Sequence, residues 1–326
     1  MIAPRSDAPQ VRSSPAGNRY HYAVYGITLA SEFPLASVVT AAGRGEAAIE
    51  LELRPASYFR ERVKGVPEDA DDWIRHTVLD DGSVYIWVNR VLETIVAADG
   101  RRVACLKLEG ADEQAFEANL LNFVLSTSFT LQGEEPLHAT VVDFGGRSAA
   151  LLGSSGAGKS TLAAFLIAEG ADLVTDDMLR FGFAGDDVLA YPGPYRLKLF
   201  EEPARRLLPG AAEHGHFNAL SGKLLMRPRR SGRPPDAPRK LSALFRLTEP
   251  REGDGVTVRR LEGAALAKVL IGSAMNIRYF APDRLVRQLR FAELIGRRLP
   301  VYELSYPRGY SVMGRVAAEL RRSIGA

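Results

Sequence analysis

The chain has 326 residues, of which 46% are hydrophobic and 25% charged, and 42 basic against 39 acidic residues give a formal net charge of +3. This composition is that of an ordinary globular protein of about two domains, and it excludes collagen, coiled coil and wholesale disorder. A charge balance so close to neutral gives no indication of nucleic-acid binding.

Residues 1–18 are rich in Pro, Ser, Ala and Arg and show no apolar periodicity, so they are predicted to form a flexible tail. They lack the apolar core of a signal peptide, and the chain contains no run of the roughly 20 apolar residues that a membrane span requires. We therefore expect a cytoplasmic protein without a membrane partner. Cys105, the only cysteine, excludes an internal disulfide.

Residues 19–135 are predicted to form a smaller, mostly antiparallel α+β domain that recognises a substrate or partner. β-branched and aromatic residues predict strands at 20–29, 48–53, 84–88, 93–98 and 102–108. Apolar residues at helical spacing then predict a helix over 112–131, which Gly133 ends.

Residues 136–326 have a different pattern, in which strand, glycine-rich loop, helix and strand follow one another. The predicted elements are paired strands at 141–144 and 149–152, a helix at 160–168, a buried strand at 172–175 and a C-terminal amphipathic helix at 316–324. Between Lys223 and Lys240 seven basic residues, one acid and four prolines predict a mobile loop. The chain is thus predicted to be α/β in its second part, with a boundary near residue 135.

The strongest motif is a Walker A pattern between a strand and a helix. It consists of Gly153, Ser154, Ser155, Gly156, Ala157, Gly158, Lys159 and Ser160, followed by Thr161. Backbone N–H groups at the start of the helix favour phosphate, and the glycines let the main chain approach its oxygens. Lys159 is expected to contact the β- and γ-phosphates of ATP, and the Ser160 hydroxyl to bind Mg²⁺.

Two acids follow seventeen and eighteen residues after this lysine. Asp176 and Asp177 end the next predicted strand, and a βαβ crossover brings that end beside the glycine loop. One carboxylate can then hold a metal ion through water while the other accepts a proton from an attacking hydroxyl. The other interpretation is an acidic turn, such as Asp186–Asp187. His138, which opens the strand before the loop, is close enough in this arrangement to hydrogen-bond an aspartate.

Together these segments resemble the catalytic domain of HPr kinase/phosphorylase and its relatives. The resemblance rests on Leu137-His138-Ala139, Gly153 to Ser160, Leu173 to Asp177 and Ala274-Met275-Asn276, and it covers about Pro136 to Phe280. It implies a P-loop kinase domain of the HPr kinase/PEP carboxykinase type. It also implies that Asp176 is the general base toward a serine hydroxyl, that His138 assists it, and that Ser160, Asp177 and Glu202 bind the metal ion.

Two departures from the family refine this expectation. Where the bifunctional enzymes have Arg-Pro-Gly-Arg-Asn, this chain has Leu261-Glu262-Gly263-Ala264-Ala265. Without the two arginines a second phosphate has fewer partners, which predicts little or no phosphorylase activity. Tyr25-Gly26-Ile27 and Ser31 to Leu35 resemble HPr-kinase-like proteins of peptide natural-product clusters, including lasso-peptide precursor kinases, and this shifts the expected acceptor toward a peptide.

The predicted function is therefore an ATP- and Mg²⁺-dependent kinase for a serine of a peptide or protein. The alternatives are a kinase for a small molecule, such as an amino acid or sugar, and a nucleotide-binding switch without an acceptor. The pair of aspartates argues against a switch, because a switch needs no base for an acceptor hydroxyl. The resemblance also allows a homo-oligomer. Whether Glu201, Arg196 or Lys198 reaches the site, and whether the basic loop binds substrate, stays open.

Overall fold

The structure is a computed structural model that describes residues 19–43, 45–64, 73–219, 221–229, 237–249, 255–277, 279, 281 and 283–326. It is a mixed α/β protein whose strands form three sheets. The predicted tail at 1–18 lies outside the described residues. Within them, no helix has both the length and the hydropathy to cross a membrane.

The first sheet contains eight strands in the order β3-β1-β2-β4-β8-β7-β6-β5. They are β1 (Tyr20–Val24), β2 (Ile27–Ser31), β3 (Val39–Thr40), β4 (Ile49–Leu53), β5 (Ile74–Val78), β6 (Val84–Val88), β7 (Leu92–Val96) and β8 (Arg102–Lys107). β4 is parallel to both of its neighbours, and the other pairs are antiparallel. The sheet is thus mostly antiparallel.

The predicted strand at 20–29 is in fact a tight hairpin. β1 and β2 pair antiparallel around Tyr25 and Gly26, whose φ values are 51° and 72°. Two successive positive φ values give the turn that matches the twist of a two-residue hairpin. A side chain at Gly26 would also lie 2.3 Å from the Tyr191 ring, so glycine is required here. A single glycine, Gly26, marked this turn in the segment at 20–29, and one glycine inside a strand pattern does not by itself predict a hairpin.

The predicted helix at 112–131 is confirmed, although it has a π-helical turn in its middle. It consists of α2 (Glu113–Asn119), the π turn Leu120–Val124 and α3 (Leu125–Leu131), and it follows the short helix α1 (Ala56–Arg62). The Asp112 side chain caps α2 by accepting a hydrogen bond from the Ala115 N–H at 2.8 Å. Its apolar face packs on the first sheet through Phe116, Leu121 and Phe129.

The second sheet also has eight strands. They are β9 (Ala139–Asp143), β10 (Ser148–Leu152), β11 (Asp172–Thr175), β12 (Phe181–Ala184), β13 (Asp187–Ala190), β17 (Arg239–Thr248), β18 (Thr257–Leu261) and β19 (Val301–Ser305). The predicted pairing of β9 with β10 is confirmed. β11 pairs antiparallel with the far side of β9, so it runs parallel to β10 but one strand away. The carboxyl ends of β10 and β11 therefore flank the start of β9.

A small third sheet and the remaining helices complete the chain. The sheet has the order β14-β16-β15, with β14 (Leu197–Leu199), β15 (His216–Asn218) and β16 (Lys223–Met226). The helices are α4 (Lys159–Ala168), α5 (Glu201–Leu207), α6 (Pro209–Ala212), α7 (Gly263–Gly272), α8 (Arg284–Arg298), the 3-10 turn Tyr310–Val312 and α9 (Met313–Ile324). α9 buries the apolar face predicted for it.

The basic segment at 223–240 is only partly the loop that its composition predicts. It begins with β16, because Leu224, Leu225 and Met226 are apolar and become buried in a core. It ends in the first residues of β17. Residues 230–236 lie outside the described part of the chain.

The two large sheets share packing and hydrogen bonds. Met178 and Met275, from the second half of the chain, belong to the apolar core of the first sheet. The Tyr25 N–H donates to the Pro192 carbonyl at 2.8 Å across the same junction. The division into domains at residues 135 and 136 stays a prediction.

Candidate functional site

The glycine loop at 153–158 lies between β10 and α4, as the sequence predicts, and Ser154, Ser155 and Gly156 are exposed. Gly156 and Gly158 have φ values of 82° and 91°, which a residue with a side chain adopts only with strain. The loop thereby wraps around the N-terminus of a ten-residue helix, where N–H groups and the helix dipole favour phosphate.

Lys159 is the first residue of α4, and its side chain folds back over the loop. Its ammonium group donates to the carbonyl oxygens of Gly153 at 2.7 Å and Ser154 at 3.1 Å. Burial lowers the pKa of Lys159, although Asp176 and Asp177 oppose this shift. Ser160 and Thr161 follow on the same first turn and are half-buried. A phosphate bound in the loop could therefore replace the Gly153 and Ser154 carbonyls as the partner of the Lys159 ammonium group.

Asp176 and Asp177 follow β11 and differ in environment. Asp176 is 4% exposed, and its carboxylate accepts hydrogen bonds from the Thr140 hydroxyl at 2.7 Å and the Lys198 N–H at 2.9 Å. Asp177 is half-buried, with a φ of 72° that is unusual for a residue other than glycine. Backbone strain of this kind clusters at functional sites. Its carboxylate pairs with the Lys198 ammonium group.

These environments move the two pKa values in opposite directions. Burial, and then the neighbouring Asp177 charge, raise the pKa of Asp176 to about 6. Burial would raise the pKa of Asp177 as well, but the Lys198 ammonium group outweighs it and holds that pKa below its usual range. Two adjacent carboxyls with separated pKa values suit different chemical roles. Asp176 is the one that can accept a proton near neutral pH.

His138 precedes β9 between the loop and the two aspartates. Its backbone N–H donates to the Ser273 carbonyl at 2.7 Å, and the Ala139 backbone N–H donates to the Asp177 backbone carbonyl at 3.3 Å. Burial, and then the Lys159 charge, lower the pKa of His138 to about 4, so its imidazole is neutral at pH 7. A neutral imidazole can donate or accept one hydrogen bond, and it adds no charge to the site.

The Ala274-Met275-Asn276 segment contacts the backbone of the residues that precede His138. Leu137 forms a bridge with Ala274, and the Met275 N–H donates to the Pro136 carbonyl at 2.8 Å. The Asn276 amide is buried and donates to the hydroxyls of Ser126 and Thr130, both at 3.1 Å. This segment therefore fixes the backbone before β9 and ties it to α3.

The predicted metal ligands Ser160, Asp177 and Glu202 lie on or near three different elements. Ser160 lies on the first turn after the loop, and Asp177 follows the strand beside β9. The Glu202 carboxylate instead accepts a hydrogen bond from the Tyr310 hydroxyl at 2.6 Å. No group of three His, Cys, Asp or Glu side chains suited to a metal ion is found among the residues described. Mg²⁺ nevertheless commonly uses one or two protein oxygens together with substrate phosphates, and a hydroxyl with a carboxylate fits that donor set.

Asn122 and Lys198 also contact Asp177, and the sequence pattern did not single out Asn122. Its amide donates to the Asp177 carboxylate at 2.9 Å and accepts from the Tyr25 hydroxyl at 2.8 Å. Asn122 lies in the π turn, a distortion that is frequent at functional sites. A polar residue on the apolar face of a predicted helix was the available signal. Lys198 alternates with the buried Leu197 and Leu199 in β14, which turns its side chain away from the core.

Arg196 lies behind these groups and is 7% exposed. Its guanidinium donates to the Ser37 hydroxyl at 3.0 Å and the Ala118 carbonyl at 3.4 Å. Burial lowers its pKa, and nearby acidic groups, including Asp177, oppose the shift. A cleft of about 640 Å³ adjoins this region, with Tyr25, Ser37, Gly193 and Arg227 among its lining residues.

Comparisons with known proteins add little to this geometry. No family model matches the chain, and no curated protein matches it. Among solved structures the chain is similar to the HPr(Ser) kinase/phosphatase from Coxiella burnetii, at 11% identity, over 57% of this chain and 94% of that one, with a TM-score of 0.31. At this TM-score the similarity supports no residue assignment, so the functional argument rests on the site itself.

Proposed function

We propose that the protein is an ATP- and Mg²⁺-dependent kinase that transfers the γ-phosphate of ATP to a serine hydroxyl of a peptide or protein. The observation that carries this proposal is that Asp176 and Asp177 follow the carboxyl end of β11, at the same end of the second sheet as the glycine loop and Lys159. A nucleotide phosphate held by the loop would lie next to a carboxyl whose pKa is about 6. That combination serves phosphoryl transfer to a hydroxyl.

In the proposed reaction the acceptor oxygen forms a bond to the γ-phosphorus, and the bond from that phosphorus to the β–γ bridging oxygen breaks. Asp176 takes the hydroxyl proton, and ADP leaves with the bridging oxygen. The Thr140 hydroxyl and the Lys198 N–H orient the Asp176 carboxylate. Lys159 and the loop N–H groups stabilise the charge that spreads over the phosphoryl oxygens.

Mg²⁺ would be held by Ser160 and Asp177, with ATP phosphates supplying further oxygens. When bound, it supplies positive charge at the β- and γ-phosphates. Glu202 joins this set only if its side chain leaves Tyr310, so we place it outside the proposed ligands.

We also propose that the reverse reaction with inorganic phosphate is weak. Leu261 ends β18, Glu262 precedes α7, and Gly263–Gly272 form that helix, so the segment that carries two arginines in the bifunctional enzymes offers none here. The phosphorylated product should therefore release little pyrophosphate when it is incubated with phosphate. Rapid pyrophosphate release would contradict this part of the proposal.

The acceptor class rests on the resemblance of the first part of the chain to peptide-modifying kinases. The cleft beside Tyr25 and Ser37 provides room for an extended segment on the side of Arg196, which donates to the Ser37 hydroxyl. A kinase for a small molecule would use the same Asp176 chemistry and would phosphorylate free amino acids or sugars. A nucleotide-binding switch would bind ATP and phosphorylate neither class.

The test is Asp176→Asn, assayed with ATP, Mg²⁺ and a panel of serine-containing peptides by mass spectrometry. We expect wild type to add one phosphate to serine, and the variant to lose about 10²- to 10⁴-fold in rate while it still binds ATP. Asp186→Asn is the matched control, because Asp186 belongs to the other Asp-Asp pair and is exposed in the β12–β13 turn. Equal rates in wild type and Asp176→Asn would contradict the proposed base.

A further inference from the structure

Lys198 contacts both aspartates of the site, one through its backbone and one through its side chain. Its N–H donates to the Asp176 carboxylate at 2.9 Å, and its ammonium group pairs with the Asp177 carboxylate. The Lys198 and Asp177 side chains are 22% and 23% exposed. The ammonium group is therefore held at the mouth of the site, within reach of solvent and of a bound ligand.

The backbone at Lys198 is fixed by strand pairing, whereas its side chain is long enough to change partner. β14 is paired with β16 on both sides of Lys198, and Leu197 and Leu199 are buried in the core beneath. A lysine has a four-carbon stem with rotatable donors, so its ammonium group can change partner without a change in the strand. Among the residues that the structure describes, Asp177 is the partner of the ammonium group.

The Lys198 ammonium group contacts the Asp177 carboxylate, which is the group that would bind the metal ion of the proposed kinase. In the described structure the half-buried Asp177 carboxylate is paired with the Lys198 ammonium group, and the Asn122 amide donates to it as well. If Asp177 binds the metal ion of the proposed kinase, Lys198 loses its partner at the moment when phosphate oxygens arrive. The charge of Lys198 is then available to them.

We propose that Lys198 is a further catalytic residue, whose ammonium group moves from Asp177 to the transferred phosphoryl group when nucleotide and metal ion bind. This inference rests on the proposed kinase function. It assigns the site two lysines with separate positions: Lys159 reaches over the loop from the start of α4, and Lys198 approaches from β14 on the side of the aspartates. A positive charge on the acceptor side stabilises the negative charge that spreads over the oxygens of the transferred phosphoryl group.

The alternative is that Lys198 stays on Asp177 throughout and only stabilises the folded site. Binding measurements distinguish the two without an acceptor. We would measure the affinity for ADP with Mg²⁺, and for the ADP, Mg²⁺ and aluminium fluoride complex that imitates the transferred phosphoryl group, in wild type, Lys198→Met and Lys198→Arg. Binding of Mn²⁺ to the nucleotide-free protein would be measured in parallel by electron paramagnetic resonance.

The expected result for Lys198→Met is near-normal ADP affinity, about tenfold or greater loss of affinity for the fluoride complex, and tighter Mn²⁺ binding because the competing ammonium group is gone. Lys198→Arg should retain part of the fluoride-complex affinity. Lys240→Met is the matched control, because Lys240 pairs with Asp187 at 2.6 Å near the start of β17, whereas the proposed site lies at the carboxyl ends of the neighbouring strands. It should change none of these values.

Unchanged affinity for the fluoride complex in Lys198→Met would overturn the proposal, and so would weaker Mn²⁺ binding together with equally weakened ADP binding. The latter is the result expected of a purely structural lysine. Failure of the kinase proposal is separate: wild type would then phosphorylate no peptide, whatever the affinities of the variants.

Discussion

The Asp176 carboxyl is buried, and its two hydrogen-bond donors and two charged neighbours, Asp177 and Lys198, act on its pKa in different directions. Burial and the Asp177 charge raise the pKa to about 6, and the Thr140 hydroxyl opposes them. A general base acts only when it is ionised. We therefore expect the transfer rate to be constant above about pH 6 and to fall about tenfold per pH unit below it. The measurement is kcat/KM for ATP against pH, because this ratio reports the pKa of the free enzyme; a ratio that stays constant down to pH 4 would contradict Asp176 as the base.

Thr140→Val tests the same carboxyl through one of its donors. Loss of the 2.7 Å hydrogen bond removes a contact that lowers the Asp176 pKa, so the pKa should rise and the fall in kcat/KM should begin at a higher pH. The matched control is Ser148→Ala, which removes a 2.8 Å bond from a buried hydroxyl to Asp143 at the other end of the β9–β10 pair.

Both variants should lose about 1 kcal/mol in the free energy of unfolding. Only Thr140→Val should change the pH profile. Identical profiles in the two variants would show that Thr140 does not act through Asp176.

At the scale of single elements, the π turn at Leu120–Val124 joins the first half of the chain to the site. It places the Asn122 amide between the Tyr25 hydroxyl and the Asp177 carboxylate. Asn122→Ala should therefore leave the buried Tyr25 hydroxyl without its acceptor and release one side of Asp177. We expect a loss of about 1–3 kcal/mol in the free energy of unfolding and a lower kcat with little change in the KM for ATP.

Asn119→Ala is the control for this prediction, since Asn119 lies three residues earlier and its amide donates to the Ala115 carbonyl at 2.9 Å within α2. It should affect stability modestly and leave kcat unchanged. Steady-state kinetics and urea unfolding of the two variants measure both effects. If Asn122→Ala matches Asn119→Ala in kcat, Asn122 does not position Asp177.

The elements around the glycine loop were predictable from sequence, because each one carries a local signal. Strand, glycines and helix follow one another within 148–168, and the paired strands and helix are confirmed. Asn122 and Lys198 were not assigned because their contacts with Asp177 span 55 and 21 residues and depend on how the sheets pack. The hairpin at Tyr25 was missed for a related reason: the close approach of Tyr191 requires glycine at position 26, and that contact is distant in the sequence.

At the scale of the whole molecule, the two large sheets are tied together by polar contacts that are costly to break. Arg180 forms two hydrogen bonds of 2.7 Å with Glu134 and a third of 2.7 Å with the Tyr25 carbonyl. Glu135 is 5% exposed and pairs with Arg284 at 3.1 Å and Arg287 at 2.8 Å. Removing one member of a buried ionic group leaves the others uncompensated.

These contacts predict that the described sheets unfold together. Both tryptophans, Trp73 and Trp87, lie in or beside the first sheet, so tryptophan fluorescence reports on that sheet, whereas far-UV circular dichroism reports on the whole chain. Coincident urea transitions by the two probes are expected for one cooperative unit. A first transition seen only by one probe would mean that the sheets unfold separately.

Glu135→Gln sharpens this prediction, because Glu135 contacts α8 of the second half while the fluorescent probes lie in the first. The variant leaves Arg284 without a carboxylate and Arg287 with the exposed Asp283 at 3.5 Å, and it should lose about 3–5 kcal/mol in the free energy of unfolding by both probes equally. Glu293→Gln, which removes an exposed partner of Arg297 on the same helix, should cost less than about 1 kcal/mol. If Glu135→Gln lowers the circular dichroism midpoint and leaves the fluorescence midpoint unchanged, the contacts across the junction are too weak to couple the two sheets.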